Sequence, residues 1–235
     1  MKREAPFLPP LPLSFQKSSD VYFKINFLNI NSLIPHFSSL MKDKFVHQSH
    51  ITSLAETWMI SSDEHSEIPN FNSLRSDQLR DLHHHQRQHR SGGLLLFIHQ
   101  DFYLIKQYNV ENVNIQYQMV VVSPCVDRTV RIVFLSVYNN PKNSVHQLLS
   151  DLERLLFEIP SNLTAFIVGD FNVDILCKSN SSQKLLNLFK YYGFHQLCKL
   201  PTHRRGGLID HCYTNVHSED IILSSVLVYY SDHHL

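Results

Sequence analysis

With 235 residues, the chain is long enough for one α/β domain with a well-buried core and too short for two ordinary domains. Its 43% hydrophobic and 18% charged residues exclude an intrinsically disordered chain. Because 21 basic residues balance 21 acidic ones, no global field directs the protein to nucleic acid or to acidic membranes, and any such attraction must be local.

The N-terminal residues 1–20 are predicted to be a flexible Pro-rich leader, because the prolines at positions 6, 9, 10 and 12 prevent a continuous helix. The remainder, 21–235, is predicted to form one domain. No run approaches the ~18 apolar residues of a membrane span, so no membrane partner is expected. The cysteines stand far apart without a C-x-x-C pair, which favours an intracellular chain over a zinc knuckle or a disulfide framework.

From residue 21 on, apolar runs of strand length alternate with helical patterns. Strands are predicted at 21–28, 51–55, 93–98, 115–122, 130–138, 163–169, 208–214 and 222–230. Helices are predicted at 36–48 after Pro35, at 144–159 with Ser144 as N-cap, and at about 182–192 with Ser182 as N-cap. Several runs are apolar on both faces, as strands between two layers must be. The pattern therefore predicts a layered α/β sandwich with a mixed sheet.

Polar side chains stand at the ends of most of these runs. They are Asn29, Asn31, Glu56, Tyr138, Asp170, Asn172, Ser231, Asp232 and His233, together with Asp210 inside the run 208–214. Sites in open α/β sheets form at the carboxyl ends of strands, so these side chains are expected to meet on one rim. Each one taken singly is more often a turn residue than a functional one, and only their joint pattern favours a site.

These residue types permit metal-assisted phosphodiester hydrolysis. Carboxylate and amide oxygens are the ligands that Mg²⁺ prefers, and the cation would neutralise charge on the phosphoryl group. A pair such as Asp210 and His233 would hold the imidazole protonated against a phosphate oxygen. Asp170 would orient and deprotonate the attacking water, while the Asn172 amide donates to the same phosphate.

Seven segments occur in the order and spacing of one known superfamily: LNINSL (28–33), LAETW (54–58), SGGLLLFI (91–98), VYNNP (137–141), VGDFN (168–172), PTHRRGGLIDH (201–211) and YYSDHH (229–234). In them the chain resembles the exonuclease–endonuclease–phosphatase superfamily, which includes deoxyribonucleases and apurinic/apyrimidinic endonucleases. The first, second and sixth segments are most similar to the endonucleases of non-LTR retrotransposons. Helitron-type transposons can carry a related endonuclease.

The resemblance implies a four-layer α/β sandwich of two mixed β-sheets flanked by helices, with a truncated C-terminal strand. It implies a Mg²⁺-dependent endonuclease, with Mn²⁺ as a substitute, that nicks one strand of DNA inside the cell nucleus. It implies no obligate protein partner, although a full element would carry a downstream reverse transcriptase or helicase region.

The resemblance also assigns metal ligation to Glu56, assisted by Asn29 or Asn31 and by Asp232. Asn31 stands where the apurinic/apyrimidinic enzymes have Asp, a departure that weakens the metal site but is usual in the retrotransposon branch. The catalytic residues that it implies are Tyr138 on the scissile phosphate, Asp170 and Asn172 on water and phosphate, and Asp210 orienting His233. The residues expected to bind substrate are Thr202, Arg204, Arg205 and Ser231.

Other readings stay open. A phosphatase of the same fold would act on a small phosphorylated substrate, and a catalytically inactive relic would keep the fold without turnover. The basic stretch 75–90 includes the cluster His83–His85, which is either a transition-metal site or an ordinary surface loop. His211 is expected to be a packed, hydrogen-bonded core residue, and Trp58 to pack beside the site.

Overall fold

The structure, a computed structural model, describes residues 23–60, 62–63, 67–77, 91–217 and 221–234. The leader predicted for 1–20 and the His83–His85 cluster lie outside these residues. The described strands are β1 Ile25–Asn29, β2 Ile51–Ala55, β3 Phe71–Ser76, β4 Leu94–His99, β5 Phe102–Tyr108, β6 Gln116–Pro124, β7 Ile132–Tyr138, β8 Thr164–Asp170, β9 His195–Gln196 and β10 Asp210–Thr214. The described helices are α1 Leu33–Leu40, α2 Lys44–His47, α3 Val145–Phe157 and α4 Asn180–Tyr191.

The strands form two mixed sheets. The first has the order β1-β2-β4-β3, with β1 and β2 parallel and the other pairs antiparallel. The second has the order β5-β6-β7-β8-β10-β9, in which β7 and β8 are parallel. The predicted α/β sandwich of two mixed sheets flanked by helices is therefore confirmed.

Three apolar cores separate four layers. Side chains of β2 and β4 pack against those of β6, β7 and β8 between the two sheets. The four-stranded sheet packs its other face on α1 and α2, and the six-stranded sheet packs its other face on α3 and α4. Because β2 and β7 lie between two layers, every one of their residues is buried, which explains why neither strand has a charged residue.

The caps of the two longer helices show which serine starts each one. The predicted cap of α3 is confirmed, because the Ser144 hydroxyl accepts a hydrogen bond from the Gln147 amide. The predicted cap of α4 was wrong: Ser179 accepts from the Ser182 amide, whereas Ser182 is buried inside the helix. Either serine fits the sequence preference for a cap, and only the backbone path distinguishes them.

The helix predicted for 36–48 is two helices. The first begins at Leu33, so Pro35 lies in its first turn, where a missing amide hydrogen costs nothing. A turn follows, and the Asp43 carboxylate caps the second helix by accepting from the Phe45 amide.

The strand predicted at 222–230 is not formed. The described part of this segment is irregular, with one isolated bridge between Leu227 and His234. Val228 and Tyr230 are instead buried in the core beneath α1 and α2. An apolar residue can be buried against helices as well as in a sheet, and only the end of this run is buried, whereas Leu223 and Leu227 are exposed.

Three observed strands were not predicted from the sequence. All three, β3, β5 and β9, lie at the edges of the two sheets. Five consecutive residues of β5 are exposed, and β9 has only two residues. Edge strands with solvent on their faces do not need the apolar pattern from which strands are predicted.

His211 is a packed histidine, as predicted. It is 1% exposed, and its Nε2 lies 2.9 Å from the Val173 carbonyl and 3.1 Å from the Leu208 carbonyl. Its Nδ1 lies 3.0 Å from the Tyr213 hydroxyl, and its ring stacks on Phe171. Burial lowers the pKa of His211 to about 4, so the ring is neutral in the folded protein.

The neutral His211 makes the stability of the protein depend on pH. Its pKa is about 4 when folded and 6.5 ordinarily, so the unfolded chain binds more protons between these values. The contribution of neutral His211 to the free energy of unfolding is fully present above the ordinary pKa of 6.5. It is lost as the pH falls through the pKa of the folded protein, and the loss is about 3 kcal/mol in all. Urea unfolding from about pH 7 to about pH 4 should show a smaller loss for His211→Gln than for the parent. An equal loss in both proteins would contradict the assignment.

In the ranges that the structure describes, no helix combines the length and the apolar character that a bilayer span requires.

Candidate active site

Three candidate residues lie side by side across the six-stranded sheet. Tyr138 at the end of β7 is in register with Asp170 at the end of β8, and Asp170 is in register with Asp210 at the start of β10. Since β10 runs antiparallel to β8, its first residue reaches the same rim at which β7 and β8 end. Sheet register therefore brings together residues that are far apart in sequence.

The four-stranded sheet contributes to the same rim. Asn29 ends β1, and Glu56 directly follows β2. The Asn29 amide donates to Asp170 Oδ2 at 2.8 Å, and the Tyr138 hydroxyl donates to Glu56 Oε1 at 2.7 Å. These two contacts join the ends of both sheets into one polar site.

Asp170 is the most buried carboxylate of this site, with 1% exposure. Its Oδ2 accepts from Asn29, and its Oδ1 accepts from the Asn172 amide at 2.9 Å. Burial and the nearby charge of Asp210 raise the pKa of Asp170, against smaller lowering effects of His233 and of the two hydrogen bonds. The pKa of this carboxyl group is therefore raised toward neutral pH, which suits a general base.

His233 and Asp210 form a buried pair. His233 Nδ1 lies 2.8 Å from Asp210 Oδ2 and 3.1 Å from Oδ1, and the two residues are 7% and 5% exposed. Burial lowers the pKa of His233, but the hydrogen bond and charge of Asp210, with Asp170 and Asp232, outweigh it and raise this pKa to about 9. The ring is therefore protonated at neutral pH, with Nε2 as its second donor.

The loop that carries Glu56 is held by a glycine turn. The Thr57 amide donates to the Gly93 carbonyl and the Trp58 amide to the Gly92 carbonyl. A Cβ on Gly93 would collide with the Thr57 hydroxyl, which explains the glycine at this position. The indole of Trp58 donates to Glu56 at 3.3 Å, so its predicted packing beside the site is confirmed.

Gln116 completes this support and was missed in the sequence. It is in register with Tyr138 across β6 and β7, and its Oε1 accepts from the Gly93 amide at 2.7 Å. A glutamine at the start of a strand carries no signal of such a role. Only the register shows that it extends the row of Tyr138, Asp170 and Asp210.

Backbone strain concentrates at this rim. Among the described residues, seven non-glycine residues have positive φ, and five of them belong to the segments that bear the site: Asn31, Ser32, Glu56, Trp58 and Asn172. Such conformations cost on the order of 1–3 kcal/mol each and persist where the surroundings impose them. The packed sheet ends therefore impose the orientation of these loops.

Asn172 and Asn31 reach the rim with different partners. The Asn172 side chain donates to the Asn139 carbonyl at 2.8 Å, which orients its amide and leaves a second N–H. The backbone amide of Asn31 donates to Asn29 Oδ1 at 3.1 Å. Asn31 is half-buried beside the proposed ligands, and its role in metal binding stays a prediction.

The side chains of three of the four residues expected to bind substrate make hydrogen bonds within the protein. The Ser231 hydroxyl donates to the Asn29 carbonyl at 2.6 Å, and Thr202 Oγ1 accepts from the Asp210 amide at 3.0 Å. The Arg204 guanidinium donates to the Val228 carbonyl at 2.9 Å, while Arg205 is exposed. Their binding of substrate stays a prediction, and these contacts add a structural role.

The donor set fits a hard divalent cation. Ligand atoms of Asp170, Asp210 and His233 lie within 4.8 Å of one another, and so do those of His203, Asp232 and His233. Protonated His233 has no free lone pair, so a cation in these groups would be held by the carboxylate oxygens. Carboxylate oxygens and the nearby Asn29 amide are the ligand types that Mg²⁺ and Mn²⁺ prefer.

A two-sheet α/β sandwich with carboxylates, amides and a paired imidazole on one rim defines a class of hydrolases of phosphate esters. The sequence profile of the Endonuclease/Exonuclease/phosphatase family matches residues 27–233. The chain belongs to this family, whose members are hydrolytic nucleases and phosphatases. No curated protein sequence matches the chain.

Solved structures share the fold at low sequence identity. The endonuclease domain of TRAS1, a telomere-specific non-LTR retrotransposon, has a TM-score of 0.68 and 15% identity over 90% of this chain and 94% of its own. The human Nocturnin catalytic domain with bound sulfate has a TM-score of 0.61 and 12% identity over 90% of each chain. D. rerio TDP2 complexed with a single-strand DNA product has a TM-score of 0.55 and 10% identity over 90% of this chain and 96% of its own.

Proposed function

We propose that the chain is a Mg²⁺-dependent DNA endonuclease of transposon origin that nicks one strand by attack of a water molecule. The observation that carries this proposal is the buried cluster of Asp170, Asp210 and His233, joined to Glu56 through Tyr138. The fold that the chain shares with the TRAS1 endonuclease domain and with DNA-bound TDP2 supports the choice of DNA as partner. A nuclear location belongs to the same proposal.

In the proposed reaction, Asp170 takes a proton from the water whose oxygen attacks the phosphorus, and the bond from the phosphorus to the leaving sugar oxygen of the strand breaks. Protonated His233, held by Asp210, donates from Nε2 to a phosphate oxygen. Burial, and next the charge of Glu56, raise the pKa of Tyr138, so its hydroxyl stays protonated. Its single O–H proton, donated to Glu56 in the free protein, would turn to a phosphate oxygen when the substrate binds. The remaining N–H of Asn172 donates to the same group.

Glu56 and Asp232, with Asn29, would hold the cation. When bound, Mg²⁺ neutralises charge on the phosphoryl group and stabilises the leaving oxygen. Mn²⁺ accepts the same oxygen ligands and is expected to replace it.

The variant Glu56→Gln is expected to raise the Mg²⁺ concentration for half-maximal nicking by at least about tenfold. Glutamine keeps an oxygen that accepts from Tyr138 but loses the negative charge that attracts the cation. Nicking rates over a Mg²⁺ titration measure the effect, and exposed Glu111→Gln is the matched control. An unchanged Mg²⁺ requirement in Glu56→Gln would contradict metal ligation by this residue.

A plasmid-nicking assay with Mg²⁺ tests the function itself. We expect supercoiled DNA to become open circular, and chelation of the cation to stop the reaction. Release of phosphate from inositol phosphates without nicking would instead indicate the phosphatase of the same fold. Absence of both activities in folded protein would indicate a catalytically inactive relic.

A further inference from the structure

We propose that His203 is a positioning residue that holds the Asp232 carboxylate at the cation site, an inference that rests on the proposed function. His203 lies in the turn that precedes β10, and it belongs neither to the predicted ligands nor to the predicted catalytic residues. Its Nε2 lies 3.3 Å from Asp232 Oδ2.

The burial of the two side chains shows which one supports the other. The side chain of His203 is 14% exposed and that of Asp232 is 43% exposed. The imidazole therefore contacts the carboxylate from the protein side and leaves its outer side open. An aspartate with this exposure would rotate among its rotamers, and a fixed donor selects one of them.

A backbone contact assigns the tautomer of His203. The Arg205 amide donates to His203 Nδ1 at 3.0 Å, so this nitrogen accepts and carries no proton. The proton is then on Nε2, the nitrogen that faces the Asp232 carboxylate at 3.3 Å. The same tautomer argues against His203 as a metal ligand. If Nε2 bound a cation, the ring proton would have to be on Nδ1, and that N–H would point at the N–H of Arg205.

The two segments are also joined through their backbones. The Arg204 amide donates to the Asp232 carbonyl at 2.9 Å, and the His234 amide donates to the Thr202 carbonyl at 2.8 Å. His203 and His233 form a bridge, and their rings meet edge to face with centroids 4.7 Å apart. The imidazole of His203 and the Asp232 carboxylate that it contacts are thus placed by one rigid backbone pairing.

Two variants of His203 separate hydrogen bonding from ring packing. His203→Phe keeps a ring against His233 and removes the donor, whereas His203→Gln places an amide N–H where Nε2 lies. We expect His203→Phe to weaken Mn²⁺ binding by about 10- to 100-fold and His203→Gln to recover part of this loss. The control is His99→Phe, which breaks a similar His–Asp contact, of 3.1 Å, with Asp101. His99 ends β4, about 17 Å along the strand from Leu94 at the end near the site.

Calorimetric titration of the full chain with Mn²⁺, without DNA, measures these affinities, and thermal melting of the metal-free variants confirms that they fold. Nitrogen NMR of the metal-free parent should show His203 with its proton on Nε2. If the parent binds Mn²⁺ and His203→Phe binds it equally well, or if the proton is on Nδ1, the positioning role is wrong while the proposed function stands. If the parent binds no Mn²⁺, both are wrong.

Discussion

Replacing Asp170 by asparagine is expected to lower the rate of strand nicking by about three orders of magnitude. The variant keeps the volume of the side chain but cannot accept a proton from water. Its own NH₂ group would face one of the two N–H donors that now contact Asp170. Because the loss falls on the transition state, DNA affinity should change little. Single-turnover nicking rates and a DNA-binding titration measure the two quantities separately.

The melting temperature of the same variant tests whether activity is lost through unfolding. The pKa of Asp170 is raised by burial and by Asp210, so the charged carboxylate opposes folding at neutral pH. Metal-free Asp170→Asn should therefore melt at the same temperature as the parent or above it. Exposed Glu111→Gln is the control for a change of charge alone. Nicking by Asp170→Asn at the parental rate would remove Asp170 from the mechanism.

The second large effect is expected from Asp210→Asn, at about 100-fold or more in the rate of nicking near neutral pH. With Asp210 present, the pKa of His233 is about 9, so the protonated ring and the activity persist until the pH rises through that value. Without the Asp210 charge, burial lowers the pKa of His233, and the alkaline limit of activity should move to lower pH. The pH dependence of single-turnover nicking tests this shift.

His233→Ala is the companion variant. It should be as slow as Asp210→Asn and should lack the alkaline limit, because the titrating group is gone. The double variant should be no slower than His233→Ala, since both residues act through one proton. An alkaline limit that stays unchanged in Asp210→Asn would show that His233 does not set it.

Local sequence signals predicted the candidate residues to a useful extent. Glu56 directly follows a buried apolar run and Asp170 ends one, so the ends of β2 and β8 are visible in the amino-acid sequence alone. Ser144 is recognisable as a cap because a helical pattern starts after it. Each of these signals spans only a few neighbouring residues, and the sequence displays it directly.

Contacts between distant segments left no comparable signal. Gln116 supports the glycine turn only because β6 is in register with β7, and His203 meets Asp232 only because two loops pair. The run 222–230 has the composition of a strand, yet it packs against the helical layer. Edge strands such as β5 were not predicted from the sequence, because residues exposed to solvent need not follow an apolar pattern.

The sequence by itself determined the alternation of strands and helices, the two-sided burial of the central strands and the residue types at their ends, because these depend on local composition and period. Only the tertiary structure decided that Asn29 contacts Asp170, that Glu56 contacts Tyr138 and that Asp210 holds His233. These contacts depend on sheet order and register. Both result from the packing of the whole chain, and no single segment encodes them.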